Sequence, residues 1–229
     1  MTQSHSASEA LITDDRKMLE GWFRNRPSSE SVAGFVPGPG IAKLKLKFDP
    51  DLMRNALALC LERRAYEGEM MDKGFAAIAL TRRPGQTRMS ANDLSGRYWL
   101  RRSDDYKEEP REDFVDEAAF SELDPEFADT YFAHIHKELS KRVKIGRMRI
   151  LSKPVYNCNS WHRDPEPRLH IPILSNPGSL FIVNHHVTHL PADGSVYFTD
   201  TRGYHTALNG GEDSRVHIVA ALPDGLVVD

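Results

Sequence analysis

The feature that most constrains this chain is the texture of its last third. Between Ile145 and Leu222, short strand-like runs follow one another at 147–151, 161–164, 168–174, 180–184, 195–200, 204–208 and 215–222. Turn-forming sequences punctuate them: Asn176-Pro-Gly178, Asp193-Gly194 and Asn209-Gly-Gly211. Several short strands at this spacing predict an antiparallel sandwich or barrel.

The residues before it read differently. A small apolar stripe at helical spacing is formed by Leu11, Met18, Leu19, Trp22 and Phe23, and residues 1–40 are expected to be a peripheral extension ending in a turn at Val36-Pro-Gly-Pro-Gly40. Residues 41–48 alternate apolar side chains with lysine, as a half-buried strand does; lysines on its outer face would also discourage edge-to-edge pairing. Asp49-Pro50 is a helix start, and Leu52, Met53, Ala56, Leu57, Cys60 and Leu61 recur behind it at helical spacing. A short apolar strand is expected at 75–80 and long polar loops at 83–117, with a possible role over the barrel mouth. Asp124-Pro125 repeats the helix signature, followed by Phe127, Tyr131, Phe132, Ile135 and Leu139. The expected organisation is therefore an extension at 1–40 and one domain at 41–229, with a helical and mixed segment at 41–143 and a β core at 144–222.

Composition narrows the class of partner. The 229 residues are 40% apolar and 28% charged, with a formal charge of −3. Such mixed charge gives no reason to expect nucleic acid or an anionic membrane as partner. No apolar run reaches the roughly 18–20 residues a bilayer requires. The polar start lacks the regions of an export signal, and two distant cysteines, Cys60 and Cys158, read as free thiols. A cytoplasmic protein acting on a small molecule or peptide is the expectation.

His162-Arg-Asp164 is the most informative motif. On a strand, residues two apart share a face, which would aim one imidazole and one carboxylate at the same point. Such a triplet is common by chance and is often a surface decoration. His205, in another predicted strand, completes two histidines and one carboxylate, a set that holds one face of an octahedral iron(II) and leaves the rest open. Arg215 lies ten residues beyond His205, with Asn209-Gly-Gly211 expected to turn a hairpin between them. A strand arginine is usually a solvated charge. Here its fork could grip the far carboxylate of a dicarboxylate whose other end reaches the metal.

These elements in order, with Gly146-Arg-Met-Arg149, Arg168-Leu-His-Ile-Pro-Ile173, Leu190-Pro-Ala-Asp-Gly194, Val196-Tyr-Phe-Thr-Asp200 and Arg215-Val-His-Ile-Val219, resemble the aspartyl/asparaginyl β-hydroxylase family, whose bacterial relatives include the proline cis-4-hydroxylases. The resemblance covers roughly residues 140–222. It implies a mostly β fold with N-terminal helices around a double-stranded β-helix (jelly-roll, cupin-like) core. It also implies Fe(II), 2-oxoglutarate and O2, with ascorbate as a candidate stimulant. The implied iron ligands are His162, Asp164 and His205, and Arg215 is the implied co-substrate anchor, with help from Arg168 or His170. Animal peptide β-hydroxylases carry glycine where this chain has Asp164, which places it nearer the free-amino-acid enzymes and weakens transfer of a peptide substrate.

Other residues divide less sharply. Tyr156 reads either as a donor to a co-substrate carboxylate or as a buried core tyrosine. Arg147 and Arg149 share a face and read as structural or as an anion site. His185, His186 and His189 lack a carboxylate at ligand spacing and read as a rim loop or pocket wall; His134 and His136 read as solvent-facing helix residues. The glycine-rich stretches lack the lysine and spacing of a phosphate loop. Two rivals remain: a cupin-like enzyme using another metal for hydrolysis or isomerisation, and a non-catalytic barrel.

Overall fold

A computed structural model describes residues 40–67, 76–87, 89–94, 98–101 and 107–224. The apolar stripe of the extension and most of the Val36–Gly40 turn lie outside the described residues. In chain order the strands are β1 (Ile41–Lys47), β2 (Ala76–Ala79), β3 (Thr81–Arg82), β4 (Trp99–Arg101), β5 (Glu108–Pro110), β6 (Glu122–Leu123), β7 (Met148–Lys153), β8 (Asn157–Cys158), β9 (Arg168–Leu174), β10 (Ser179–Val183), β11 (His186–His189), β12 (Ser195–Thr199), β13 (His205–Asn209) and β14 (Arg215–Ala221). The two longer helices are α1 (Pro50–Arg63) and α2 (Tyr131–Ser140).

Two antiparallel sheets make the core. One runs β1-β12-β9-β14-β7-β2 and the other β11-β10-β13-β8. From β7 onward successive strands switch between the sheets, except that β10 and β11 pair as a hairpin within the smaller one; this is a double-stranded β-helix, a jelly roll, with β1 and β2 widening the larger sheet at its two edges. The predicted β class holds. One detail does not: β13 and β14 lie in different sheets, so Asn209-Gly-Gly211 carries the chain across the sandwich instead of turning a hairpin.

Alternation assigns each face of the larger sheet its task. Met148, Ile150, Ile171, Val196 and Ile218 point to one side and pack against Met53, Ala56, Leu57 and Cys60 of α1 and Phe132, Ile135 and Leu139 of α2. Asp49 caps α1 by accepting from the Asp51 and Leu52 amides, as its position before Pro50 predicted. The Asp124-Pro125 signature caps only a 3-10 turn, Pro125–Phe127; α2 begins later, behind Thr130. At the β1 edge the lysines are exposed, and Gly194 turns the chain into β12 with φ +83. A side chain on Gly194 would meet the Phe48 carbonyl oxygen at 2.0 Å, so only glycine fits there.

The opposite face of the same sheet is polar and buried. It carries Arg149, Lys153, Arg168, His170, Arg215 and His217, each no more than 5% exposed. The segment read as loop at 83–117 contains the β4–β5 pair, a helical turn at Ala91–Leu94 and a 3-10 turn at Glu117–Ala119. Among the described residues no helix is long and apolar enough to cross a membrane.

Candidate metal and co-substrate site

Asp164, His162 and His205 converge. One ligand atom from each lies within 4.8 Å of the others, and no other such group occurs among the described residues. His205 opens β13. His162 and Asp164 are not on a strand as predicted. They lie in an extended loop that is tied to β13 by a single bridge, in which His162 N donates to His205 O at 3.2 Å and His205 N to His162 O at 2.9 Å. The Asp164 amide donates to Thr201 O at 2.8 Å. Backbone pairing, not strand periodicity, brings the three together.

Each imidazole is oriented from behind. His162 Nδ1 lies 2.8 Å from Ser160 O, and His205 Nδ1 lies 3.0 Å from Gly203 O. A backbone carbonyl only accepts, so each Nδ1 carries the proton and each Nε2 keeps its lone pair. Burial pushes His205 down to about 4, against the opposing pull of the Asp164 carboxylate, so it is neutral at pH 7. Its Nε2 is 3.6 Å from Asp164 Oδ2. Two imidazole nitrogens and one carboxylate, with Asp164 and His205 buried and His162 half-buried, fit a ferrous ion.

Arg168 serves the carboxylates. Its Nε is 3.3 Å from Asp164 Oδ2, its Nη1 is 2.5 Å from Glu117 Oε2, and Glu166 lies at 3.3 Å. This guanidinium holds the Asp164 carboxylate in place and is already paired with carboxylates of the protein, which makes it a poor anchor for an incoming anion. Glu117, fully buried and absent from the sequence reading, also pairs with Arg147 and faces Arg149 at 3.7 Å. Burial alone would raise its carboxyl, but the three guanidiniums outweigh that and hold it at about 2. Arg147 is thus structural.

Arg215 differs. Among the described residues it has no carboxylate partner, and burial lowers it to about 10. Its Nη2 donates to His217 Nδ1 at 2.9 Å. His170 Nδ1 lies 3.4 Å from that same His217 nitrogen. Burial, reinforced by the Arg215 charge, lowers both histidines well below their ordinary value, so they are neutral. With Nδ1 accepting, His217 carries its proton on Nε2, and that buried atom has no partner among the described residues. His170 sits between the two halves of the site, 5.7 Å from the His217 ring and 4.8 Å from Phe181, which in turn is 5.8 Å from His205. A buried cation and a buried N–H, neither with a carboxylate partner among the described residues, on the same strand face are what a bound carboxylate would satisfy.

Tyr156 is not brought here: it is 71% exposed, in a turn with φ 51, neither core nor co-substrate contact. His186–His189 forms β11, not a loop; His189 is buried with Nδ1 at 2.9 Å from Ser179 O. His134 is exposed and His136 half-buried, both on α2. Sequence reasoning missed Glu108, whose carboxylate bonds Arg163, between the two loop ligands, and accepts from Tyr204 Oη at 2.7 Å, beside His205. A surface concavity of about 430 Å³ lies elsewhere, lined by Arg64, Glu67, Arg82, Gln86 and Asp124; its Arg64 is already paired with Asp124 at 3.0 Å.

No protein-family model matches this chain, and no curated protein matches its sequence. Among solved structures it is similar to an oxidoreductase of the 2OG-Fe(II) oxygenase family from Burkholderia pseudomallei, at 14% identity over 82% of this chain and 87% of that one, with a TM-score of 0.48. It is similar to a Pseudomonas putida prolyl-4-hydroxylase at 11% identity over 80% and 91%, TM-score 0.46. A viral collagen prolyl hydroxylase from Paramecium Bursaria Chlorella virus-1 matches at 9% identity over 80% and 96%, TM-score 0.44.

Proposed function

We propose that this chain is an Fe(II)- and 2-oxoglutarate-dependent oxygenase that hydroxylates an unactivated C–H bond of an amino acid, a peptidyl Asp or Asn, or a related small metabolite. The balanced reaction converts substrate C–H, 2-oxoglutarate and O2 into C–OH, succinate and CO2. The observation that carries the reading is the pairing of an iron-type donor set with a buried arginine that has no carboxylate partner among the described residues, within one polar interior.

Ferrous iron, when bound, supplies the oxygen chemistry and a chelation point for the 2-oxo acid end of the co-substrate. The chain supplies the rest. His162 and His205 present Nε2 lone pairs fixed by their carbonyl partners. Arg168 holds Asp164 in place. Arg215 and the His217 Nε2–H receive the distal carboxylate, and neutral His170 packs between that end and the ligand His205. Burial of these side chains strengthens their charge-assisted bonds, and a buried site keeps water from the bound groups. Substrate position then selects the carbon attacked.

The test is succinate release from 2-oxoglutarate with Fe(II) and ascorbate, run with amino acids and peptides and read beside mass spectrometry of each substrate. Gain of one oxygen atom that requires 2-oxoglutarate is expected. Metal binding without succinate across the whole panel would favour a differently metallated or non-catalytic barrel.

A further inference from the structure

Lys153 and Arg215 are direct partners across the antiparallel pair of β7 and β14. Residues so placed have Cβ atoms about 4.5–5.5 Å apart, and like charges there are destabilising. Both point to the polar face and are buried, at 4% and 5% exposure. Arg215 donates to His217, and the Lys153 ammonium bonds the side-chain oxygens of Asn157, at 3.1 Å, and Asn159. Neutral acceptors thus meet two of its three N–H bonds, and the third has no partner among the described residues. Neither cation has a carboxylate partner among the described residues. Two buried like charges side by side are a cost that folding alone does not explain, and a bound anion would remove it.

We propose that Lys153 and Arg215 form a two-cation cradle for the distal carboxylate of the dicarboxylate co-substrate, making Lys153 a second recognition residue. This rests on the 2-oxoglutarate reading above. The groups facing Lys153 are Arg215 from β14 and the Cys158 thiol from β8; burial, with the Arg215 charge, lowers the lysine to about 8. A carboxylate in the cradle favours the charged ammonium, so near pH 8 co-substrate binding takes up protons, and affinity falls as pH rises through that range.

The experiment is anaerobic calorimetric titration of the Mn(II)-loaded protein with 2-oxoglutarate and with 2-oxopentanoate, which has the same length but no distal carboxylate. Two buffers of different ionisation enthalpy report proton uptake. Lys153→Met should weaken 2-oxoglutarate about tenfold, the loss of one charge-assisted bond, and leave 2-oxopentanoate unchanged. Its ligand-free melting temperature should not fall, because a repulsion has been removed. Lys153→Arg should keep the affinity and lose the proton uptake. Wild-type affinity in Lys153→Met, or an equal loss for both acids, overturns the cradle; so does proton uptake in Lys153→Arg equal to wild type, which decides the matter even if the methionine variant does not fold. Failure of wild type to bind either acid is a separate result that removes the oxygenase reading itself.

Discussion

Arg215 shows how much a single residue can say. A guanidinium at 5% exposure, held by one histidine and by no carboxylate among the described residues, is a costly group to bury. Arg215→Ala should raise the KM for 2-oxoglutarate by roughly 30-fold or more, since truncating one partner of a buried charge pair costs about 2–5 kcal/mol. Metal affinity should be unchanged; steady-state kinetics beside a Mn(II) titration measure both, and an unaltered KM would refute the anchor. The three side chains that converge, His162, Asp164 and His205, were legible from residue type and order. The reason they meet was not: residues 161–164 are no strand, and a bridge to His205 does what alternation was expected to do. Lys153 and His217 went unread because their meaning depends on β7 and β14 being neighbours, a fact of pairing that local pattern does not encode. Tyr156 was misplaced for the opposite reason, since nearness in sequence to His162 says nothing of which side of a turn a ring occupies.

At the scale of elements, the short 3-10 turn at Glu117–Ala119 holds two strands of the larger sheet. Glu117 reaches Arg147 beside β7 and Arg168 on β9, which in turn holds Asp164. Glu117→Gln should destabilise the fold by about 3–5 kcal/mol, because it leaves buried guanidiniums uncompensated. The pH dependence has a definite sign. The carboxyl is held at about 2 in the folded chain and has an ordinary value of about 4.3 when unfolded. Its stabilisation is complete above the unfolded value and drains away as pH falls toward the folded one. Thermal unfolding should separate wild type and variant widely at pH 7 and bring them together near pH 2; equal melting at pH 7 would show that Glu117 is no clamp. Strands with strong β-branched content, such as β9 and β14, were readable almost to the residue. Among the strands missed, β8 and β11 are two and four residues long and polar, and form against longer partners, β13 and β10. Asn209-Gly-Gly211 signalled a reversal but not which sheet the chain would rejoin.

For the molecule as a whole, residues 40–224 divide their labour between two faces of one sheet. The face toward α1 and α2 is apolar and supplies the burial that holds the fold. The other concentrates cations and neutral histidines that weaken the ligand-free state, the trade expected of a binding site. On the proposed function, the metal and the diacid meet inside the same barrel. The most direct measurement is anaerobic visible spectroscopy of the Fe(II)-loaded protein as 2-oxoglutarate is added. Chelation of ferrous iron by a 2-oxo acid gives a charge-transfer absorption, so a new band should grow to saturation in wild type and be missing from His205→Ala, with unchanged circular dichroism. Iron-loaded wild type that stays colourless, or a His205→Ala variant that develops the same band, would contradict the account.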